Sequence, residues 1–232
     1  MNKKYKCTVV LITLLSITTC FGEDKVITPD LKKIVTGEGW GILNRKAKVI
    51  EKDDKVSIHF DGRPGLGGAC FETLDFSNGV IECDIKGKAQ RPSYVGIAFD
   101  VIDTINFDVI YFRPFNFRNE ERKQHSVQYI SHPEHTWQKL REKFPGKYES
   151  AIEQAPDPNN FFHVKLVFER PKVSIYVNKA KKPCLVVEEI LSPRKMGKIS
   201  LFVDNESEGT FANLKITPKE AKKDNTNQPN KP

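Results

Sequence analysis

"FFHVKLVFERPKVSIYVN", residues Phe161–Asn178, runs through two alternating apolar and polar stretches separated by Glu169-Arg170-Pro171. A period of two sends successive side chains to opposite faces, the pattern of half-buried strands rather than of a helix. Two such runs around a short Pro-containing break read as strand, tight turn, strand. The same signature recurs on both sides, in "KVSIHFD", "GACFETLDF", "GVIECDIKG", "YVGIAFDVID", "DVIYFRPF", "HSVQYIS", "CLVVEEI", "KISLFVDN" and "FANLKI", each bounded by Gly, Pro, Asn or Asp. Strands at this spacing predict an all-β sandwich or barrel.

One segment breaks the alternation. "SHPEHTWQKLREKFPG" places Ser131 and Glu134 at capping-box spacing, Pro133 in the first turn and Gly146 beyond the end. Trp137, Leu140 and Phe144 then share one helical face. "KYESAIEQ" reads as a second short helix, so a helical insert is expected around 132–154. Long insertions in compact domains are commonly functional.

The N-terminus sets the compartment. Lys3, Lys4 and Lys6 precede the apolar run "CTVVLITLLSITTCF", too short to span a bilayer comfortably, which reads as a secretory signal over residues 1–22. Two processing readings stay open: cleavage after Gly22, or lipid attachment at Cys20 as in a bacterial lipoprotein. The protein is expected to be secreted, periplasmic or at the cell surface, with a membrane as partner only through a lipid on Cys20.

The formal charge of +7 says little about partners, since losing Lys3, Lys4 and Lys6 leaves +4 and the polar tail from Pro218 carries another +2. No run of Lys and Arg follows one helical face, so nucleic acid is not an expected partner. The tail, residues 218–232, is nearly free of apolar side chains and is expected to be disordered. Between signal and tail lie about 195 residues, residues 23–217, enough for one single-core domain.

Three cysteines follow the signal: Cys70, Cys83 and Cys184. Strand pairing about Phe76-Ser77 would set Cys70 opposite Cys83 and allow a disulfide. Two buried free thiols are the alternative, and the odd count argues against a disulfide framework.

From "NGVIECDIKG" through "YVGIAFD" to "FFHVKLVFERPKVSIYVN" and "GKISLFVDNESEGTFANLKI", the chain resembles the concanavalin A-like lectin/glucanase superfamily, in particular laminin-G-like carbohydrate-associated domains of exported bacterial proteins. The resemblance implies a two-sheet jelly roll. It implies no single activity, because this fold hosts lectins, hydrolases, lyases and adhesion modules. Laminarinase-like members carry Glu-x-Asp-x-Glu or Glu-x-Asp-x-x-Glu on one strand, because a retaining mechanism needs two carboxyl groups about 5 Å apart. In "IECDIKG", Glu82 and Asp84 have the first spacing, but Lys86 and Gly87 stand where the second Glu belongs. Glu82 and Asp84 read as solvent-facing residues alternating with Ile81, Cys83 and Ile85.

The densest cluster of recognition-type side chains is "DVIYFRPFNFRNEERKQHSVQYISHPEHTW", Asp108–Trp137. Alternation puts Tyr111 and Arg113 on the face opposite Ile110 and Phe112, hence outward if the latter pair faces the core. Pro114 breaks the ladder and lets Phe115 and Asn116 leave the strand. A paired strand brings His125, Gln128 and Tyr129 nearby, and the insert supplies His132 and Trp137. Aromatic faces stack on sugars while Arg, Asn, Gln and His meet hydroxyls or carboxylates in fixed directions. The expected ligand-binding set is therefore Tyr111, Arg113, Asn116, His125, Gln128, Tyr129, His132 and Trp137, with a glycan or polysaccharide as partner. The structural alternative pairs Arg113 and Arg118 with Glu120, Glu121 or Asp108 and makes Trp137 a core anchor of the helix.

No cofactor is expected. His132 and His135 lack the Glu of a His-Glu-x-x-His arrangement and a third ligand. "DNESEG", Asp204–Gly209, offers oxygen ligands of the kind some laminin-G-like domains use for calcium, but it lacks EF-hand spacing and reads as a solvated turn. Catalytic residues are not identified. A lyase would draw on Arg113, Asn116, Gln128, His125 and Tyr129, and a glycoside hydrolase on Glu72, Asp100, Asp103 or Asp108. The sequence thus points to an exported domain that recognises or processes carbohydrate, binding before catalysis, with a non-sugar interaction module as the third class.

Overall fold

The computed structural model describes residues 25–219 except position 54. The expected signal over 1–22, the lipid at Cys20 and the tail from 220 onward lie outside the described residues. The strands are β1 (Trp40–Leu43), β2 (Ala47–Lys52), β3 (Lys55–Phe60), β4 (Gly67–Phe76), β5 (Asn78–Lys86), β6 (Tyr94–Val101), β7 (Phe107–Phe112), β8 (Val127–His132), β9 (Glu149–Ser150), β10 (Phe162–Glu169), β11 (Lys172–Val177), β12 (Leu185–Val187), β13 (Gly197–Asp204) and β14 (Gly209–Lys219). They form two antiparallel seven-stranded sheets, ordered β1-β4-β13-β6-β7-β8-β9 and β12-β11-β10-β5-β14-β3-β2.

The β10–β11 pair forms as its alternation requires, from Val164 opposite Val177 to Glu169 opposite Lys172. Val164, Leu166 and Phe168 turn inward with Val173, Ile175 and Val177. They meet the first sheet through ring contacts, Phe112 against Phe162 at 5.2 Å and Phe99 against Phe168 at 4.8 Å. Each buried Phe contributes about 1.5–3 kcal/mol of transfer free energy, so this seam is a main source of stability.

β4 and β5 follow each other in sequence but belong to different sheets, because the chain turns the corner at Ser77. Gly79 makes that corner close: at φ +127° its hydrogen sits where a Cβ would be 2.1 Å from the Thr217 carbonyl oxygen. The expected pairing about Phe76-Ser77 therefore does not form. Cys83 lies in the inter-sheet core, its Sγ 3.4 Å from the Ala212 carbonyl oxygen, while Cys70 belongs to the other sheet. Cys70, Cys83 and Cys184 are all free thiols, and burial pushes the Cys70 thiol up to about 11.

The insert differs from its sequence reading in detail. One α-helix, α1 (Trp137–Lys143), starts from Thr136, whose hydroxyl accepts from the Lys139 amide at 3.5 Å, so Thr136 and not Ser131 is the cap. Ser131 belongs to β8. The second helix expected over "KYESAIEQ" is instead a two-residue strand between turns, with Glu149 and Ser150 pairing with Gln128 and Val127. Of the three residues on the helical face, Leu140 is buried, whereas Trp137 and Phe144 remain 39% and 41% exposed. At the C-terminal end β14 continues past the expected boundary, with Pro218 opposite Gly79 and Lys219 opposite Asn78. β1, β2 and β9 are strands that the alternation did not single out.

Candidate functional site

β6, β7, β8 and β13 each send alternate residues inward and outward. Val95, Ile110, Phe112 and Val203 fill the core, and Tyr94, Tyr111, Ile130 and Phe202 lie on the opposite face. That outer face floors a cleft of about 800 Å³. Its walls come from the segment after β7, which supplies Phe115, Asn116 and His125, and from α1, which supplies Trp137 and Arg141. Arg91 and Asp204 close the remaining side.

Tyr111 reaches this floor because Gly96 stands directly opposite it. A Cβ at position 96 would lie 2.2 Å from the Ile110 carbonyl oxygen and 2.6 Å from the Tyr111 Cα, so only hydrogen fits there. Alternation thus places Tyr111 and Arg113 on the outward face as expected, but neighbours cover both, leaving them 4% and 6% exposed.

Beneath the cleft these two residues form a polar triangle with Gln128. The Arg113 guanidinium donates through Nη2 to the Tyr111 hydroxyl and to Gln128 Oε1, and through Nη1 to the His125 carbonyl oxygen at 3.1 Å. The Tyr111 hydroxyl in turn donates to Gln128 Oε1 at 3.1 Å. Burial pushes that hydroxyl up to about 12, so it stays protonated and keeps its donor. Burial also lowers the pKa of Arg113 below its ordinary value.

A second group flanks the triangle. Arg141 grips Glu149 with two hydrogen bonds, Nε to Oε1 at 2.8 Å and Nη2 to Oε2 at 2.6 Å. His125 Nδ1 lies 2.8 Å from Glu149 Oε2 but off the hydrogen-bond direction. Burial alone would raise the Glu149 pKa; the two hydrogen bonds from Arg141, with the His125 ring beside them, outweigh it and hold the carboxylate below its ordinary range. The Arg141 guanidinium also lies 5.0 Å from the Trp137 ring centroid, fixing the aromatic wall.

Of the eight residues expected at the site, Tyr111, Arg113, Asn116, His125, His132 and Trp137 line the cleft. Gln128 sits under it, fully buried, as the acceptor that holds Tyr111 and Arg113. Tyr129 faces the other way. Its ring stacks 6.3 Å from Phe99 in the core, and its hydroxyl donates to Asp108 at 2.6 Å and accepts from the Leu191 amide at 2.8 Å. His132 stacks on Phe107 at 4.8 Å, and burial lowers its pKa.

The carboxylates considered for hydrolysis are dispersed. Asp100 and Asp108 are buried in ion pairs with Arg170 and Arg194, the latter at 2.8 Å. Asp103 caps its own loop by accepting from the Ile105 and Asn106 amides, and Glu72 is exposed on β4. Asp108 is thus occupied by Arg194 and Tyr129, and Arg113 does not pair with it. In "DNESEG", Ser207 accepts from the Tyr94 amide at 2.8 Å and Asp204 lines the cleft. Among the described residues no group of three or more His, Cys, Asp or Glu stands in metal-ligating geometry.

Two cleft residues outside the expected set, Arg91 and Asp204, come from segments that the sheet order brings together, and Arg122 lies within the Asp108–Trp137 cluster without having been singled out. Tyr94 was passed over, although its alternation with the small residues Gly96 and Ala98 is a signal that could have found it.

No protein-family model matches the chain, and no curated protein does. Solved structures do. A carbohydrate-binding module of Bacillus subtilis, CBM66, superposes with a TM-score of 0.51 at 17% identity over 77% of this chain and 95% of that one. The VIP36 exoplasmic/lumenal domain, in its Ca2+/Man3GlcNAc-bound form, gives 0.51 at 12% identity over 81% and 87%. The kappa-carrageenase of Pseudoalteromonas carrageenovora, in complex with an oligotetrasaccharide of kappa-carrageenan, gives 0.50 at 11% identity over 88% and 98%. At these identities the likeness establishes architecture: the chain has the concanavalin A-like jelly-roll fold.

Proposed function

We propose that this is an exported glycan-binding domain whose ligand lies in the cleft over Tyr111 and Arg113. The observation that carries the reading is the cleft's composition: Tyr94, Phe115 and Trp137 offer ring faces, and Asn116, His125 and His132 offer hydrogen-bonding groups around them. Ring faces cover the C–H surface of a pyranose while planar polar groups meet its hydroxyls, so a hollow built from both suits a sugar. Structural neighbours that are carbohydrate-binding modules, lectins and glycoside hydrolases support a glycan as partner. Export rests on the N-terminal Lys3, Lys4, Lys6 and the apolar run after them, with lipidation at Cys20 as one route to the cell surface. A glycan array on the mature domain tests the binding. Capture of one glycan class, abolished by Trp137→Ala in a folded variant, is the expected result; a blank array, with folding verified, would remove the reading.

A catalytic version of the same site is favoured by one observation, the placement of His125 against Glu149. A buried carboxylate set against an imidazole at a cleft wall suits a proton-transfer role. Incubating the captured glycan with the domain and looking for new reducing ends or unsaturated termini decides between binding and turnover.

A further inference from the structure

We propose that the cleft selects an anionic sugar, with the Arg113 guanidinium receiving the charged substituent. This rests on the glycan reading above and narrows it to a ligand class. Arg113 is 6% exposed, yet its hydrogen-bond partners are three neutral oxygens: the His125 carbonyl, the Tyr111 hydroxyl and Gln128 Oε1. Among the described residues no carboxylate lies within ion-pair distance of it. The fold treats other sheltered arginines differently: Arg141, Arg170 and Arg194 each meet a carboxylate, on Glu149, Asp100 and Asp108. Arg45 is equally buried and also lacks one, but it is held by the carbonyl oxygens of Asn44, Gly65 and Val203 and lines no part of the cleft. A charge taken out of water without a counter-ion is costly, and an arriving anion removes that cost.

Independent observations point the same way. Gln128 Nε2, fully buried beside the guanidinium, has no hydrogen-bond partner. Asn116 Oδ1, on a side chain 2% exposed at the cleft wall, has none either. Unmatched buried polar atoms are rare in native proteins, and here a spare donor stands next to the cation while a spare acceptor belongs to a residue that lines the cleft. The cleft's charge agrees. Arg91, Arg113 and Arg122 line it without a paired carboxylate among the described residues, Arg141 is neutralised by Glu149, and Glu121 and Asp204 are the lining acids. A carboxylate of a uronic acid and a sulfate ester share the chemistry that a planar guanidinium recognises.

Calorimetry separates the outcomes. The ligands are galacturonate, mannuronate-guluronate and glucuronate oligosaccharides, each beside its carboxyl-reduced neutral form, together with sulfated and unsulfated galactan oligosaccharides. The expected result is at least a tenfold preference for one anionic ligand over its neutral counterpart, shrinking as salt rises. Whether that ligand carries carboxylates or sulfates identifies the source of the charge. In Arg113→Gln the preference falls to within threefold; should that variant fail to fold, the carboxyl-reduced and unsulfated arms on the unaltered protein still decide. Equal affinity for charged and neutral forms overturns the anionic assignment and leaves the glycan reading standing. A preference that survives in folded Arg113→Gln overturns the role given to Arg113. Binding to none of these sugars overturns the anionic assignment, while the glycan array decides the glycan reading by itself.

Discussion

Glu149 Oε2 lies 2.8 Å from His125 Nδ1 and 2.6 Å from Arg141 Nη2, so one carboxylate joins two walls of the cleft. It is 5% exposed, and the two side chains it meets come from the segment after β7 and from α1. Glu149→Gln should therefore leave Arg141 without its counter-charge and lower unfolding stability by about 2–4 kcal/mol. Urea unfolding measures this, and a loss under half a kcal/mol or so would mean that the walls stand without the pair.

Trp137 separates packing from recognition. At 39% exposure against Arg141 it contributes modestly to the core, so Trp137→Ala is expected to cost about 1 kcal/mol or less while weakening glycan binding at least tenfold. A stability loss of about 3 kcal/mol or more with affinity unchanged would instead make the ring an anchor of the helix.

Tyr129 should behave in the opposite way. Tyr129→Phe removes the donor to Asp108 and the acceptor for the Leu191 amide, both buried, at a cost of about 1–3 kcal/mol, and leaves sugar affinity intact. Paired melting and binding measurements on this variant test its place in the core; weaker sugar binding at full stability would return it to the site.

The outer face of the second sheet sets a pH window. Burial would raise the Asp84 pKa, but hydrogen bonds from His163, Lys55 and Asn213 prevail and hold it far below the ordinary carboxylate range. Its stabilisation is present above the unfolded value of about 4 and is lost as pH falls through the folded one. The His163 pKa is raised, by its hydrogen bond to Asp84 first, with burial opposing. The stabilisation from His163 is complete below about 6.5 and is lost as pH rises through its folded value. Together they give a maximum between about 4 and 6.5, which Asp84→Asn should flatten. Urea midpoints that do not change between pH 5 and 8 would dismiss the His163 part.

Thiol chemistry checks the sheet assignment of Cys70 and Cys83. With both cysteines free and in different sheets, the 25–219 segment should take up three alkylating groups on unfolding without reductant. Before unfolding, uptake should be slow, because burial raises all three thiols and suppresses the reactive thiolate. Mass spectrometry showing two resistant sulfurs would indicate a disulfide and a different corner at Ser77.

Much of this was legible in the order of side chains. Alternation assigned Tyr111 and Arg113 to one face and Ile110 and Phe112 to the other, and the structure keeps that division. The same rule separates neighbours Gln128 and Tyr129, and grouping them at one site overlooked it: only Gln128, opposite Tyr111, shares the outward face. Glu149 escaped notice because the segment around it has helical spacing, while its conformation is decided by pairing with β8, a contact no local pattern encodes. Arg91 and Asp204 reach the cleft through the sheet order, which is set by packing between distant segments.

Gly96 has a bearing on descent. Because nothing larger than hydrogen fits between it and the Ile110 carbonyl, a lineage that substitutes this position must rebuild the floor, and Tyr111, Arg113 and Gln128 would then be free to drift. A glycine opposite a tyrosine, with arginine two residues further on, is thus a compact fingerprint. Distant chains of this fold that carry it should share a ligand class even where the rest of their surfaces have diverged.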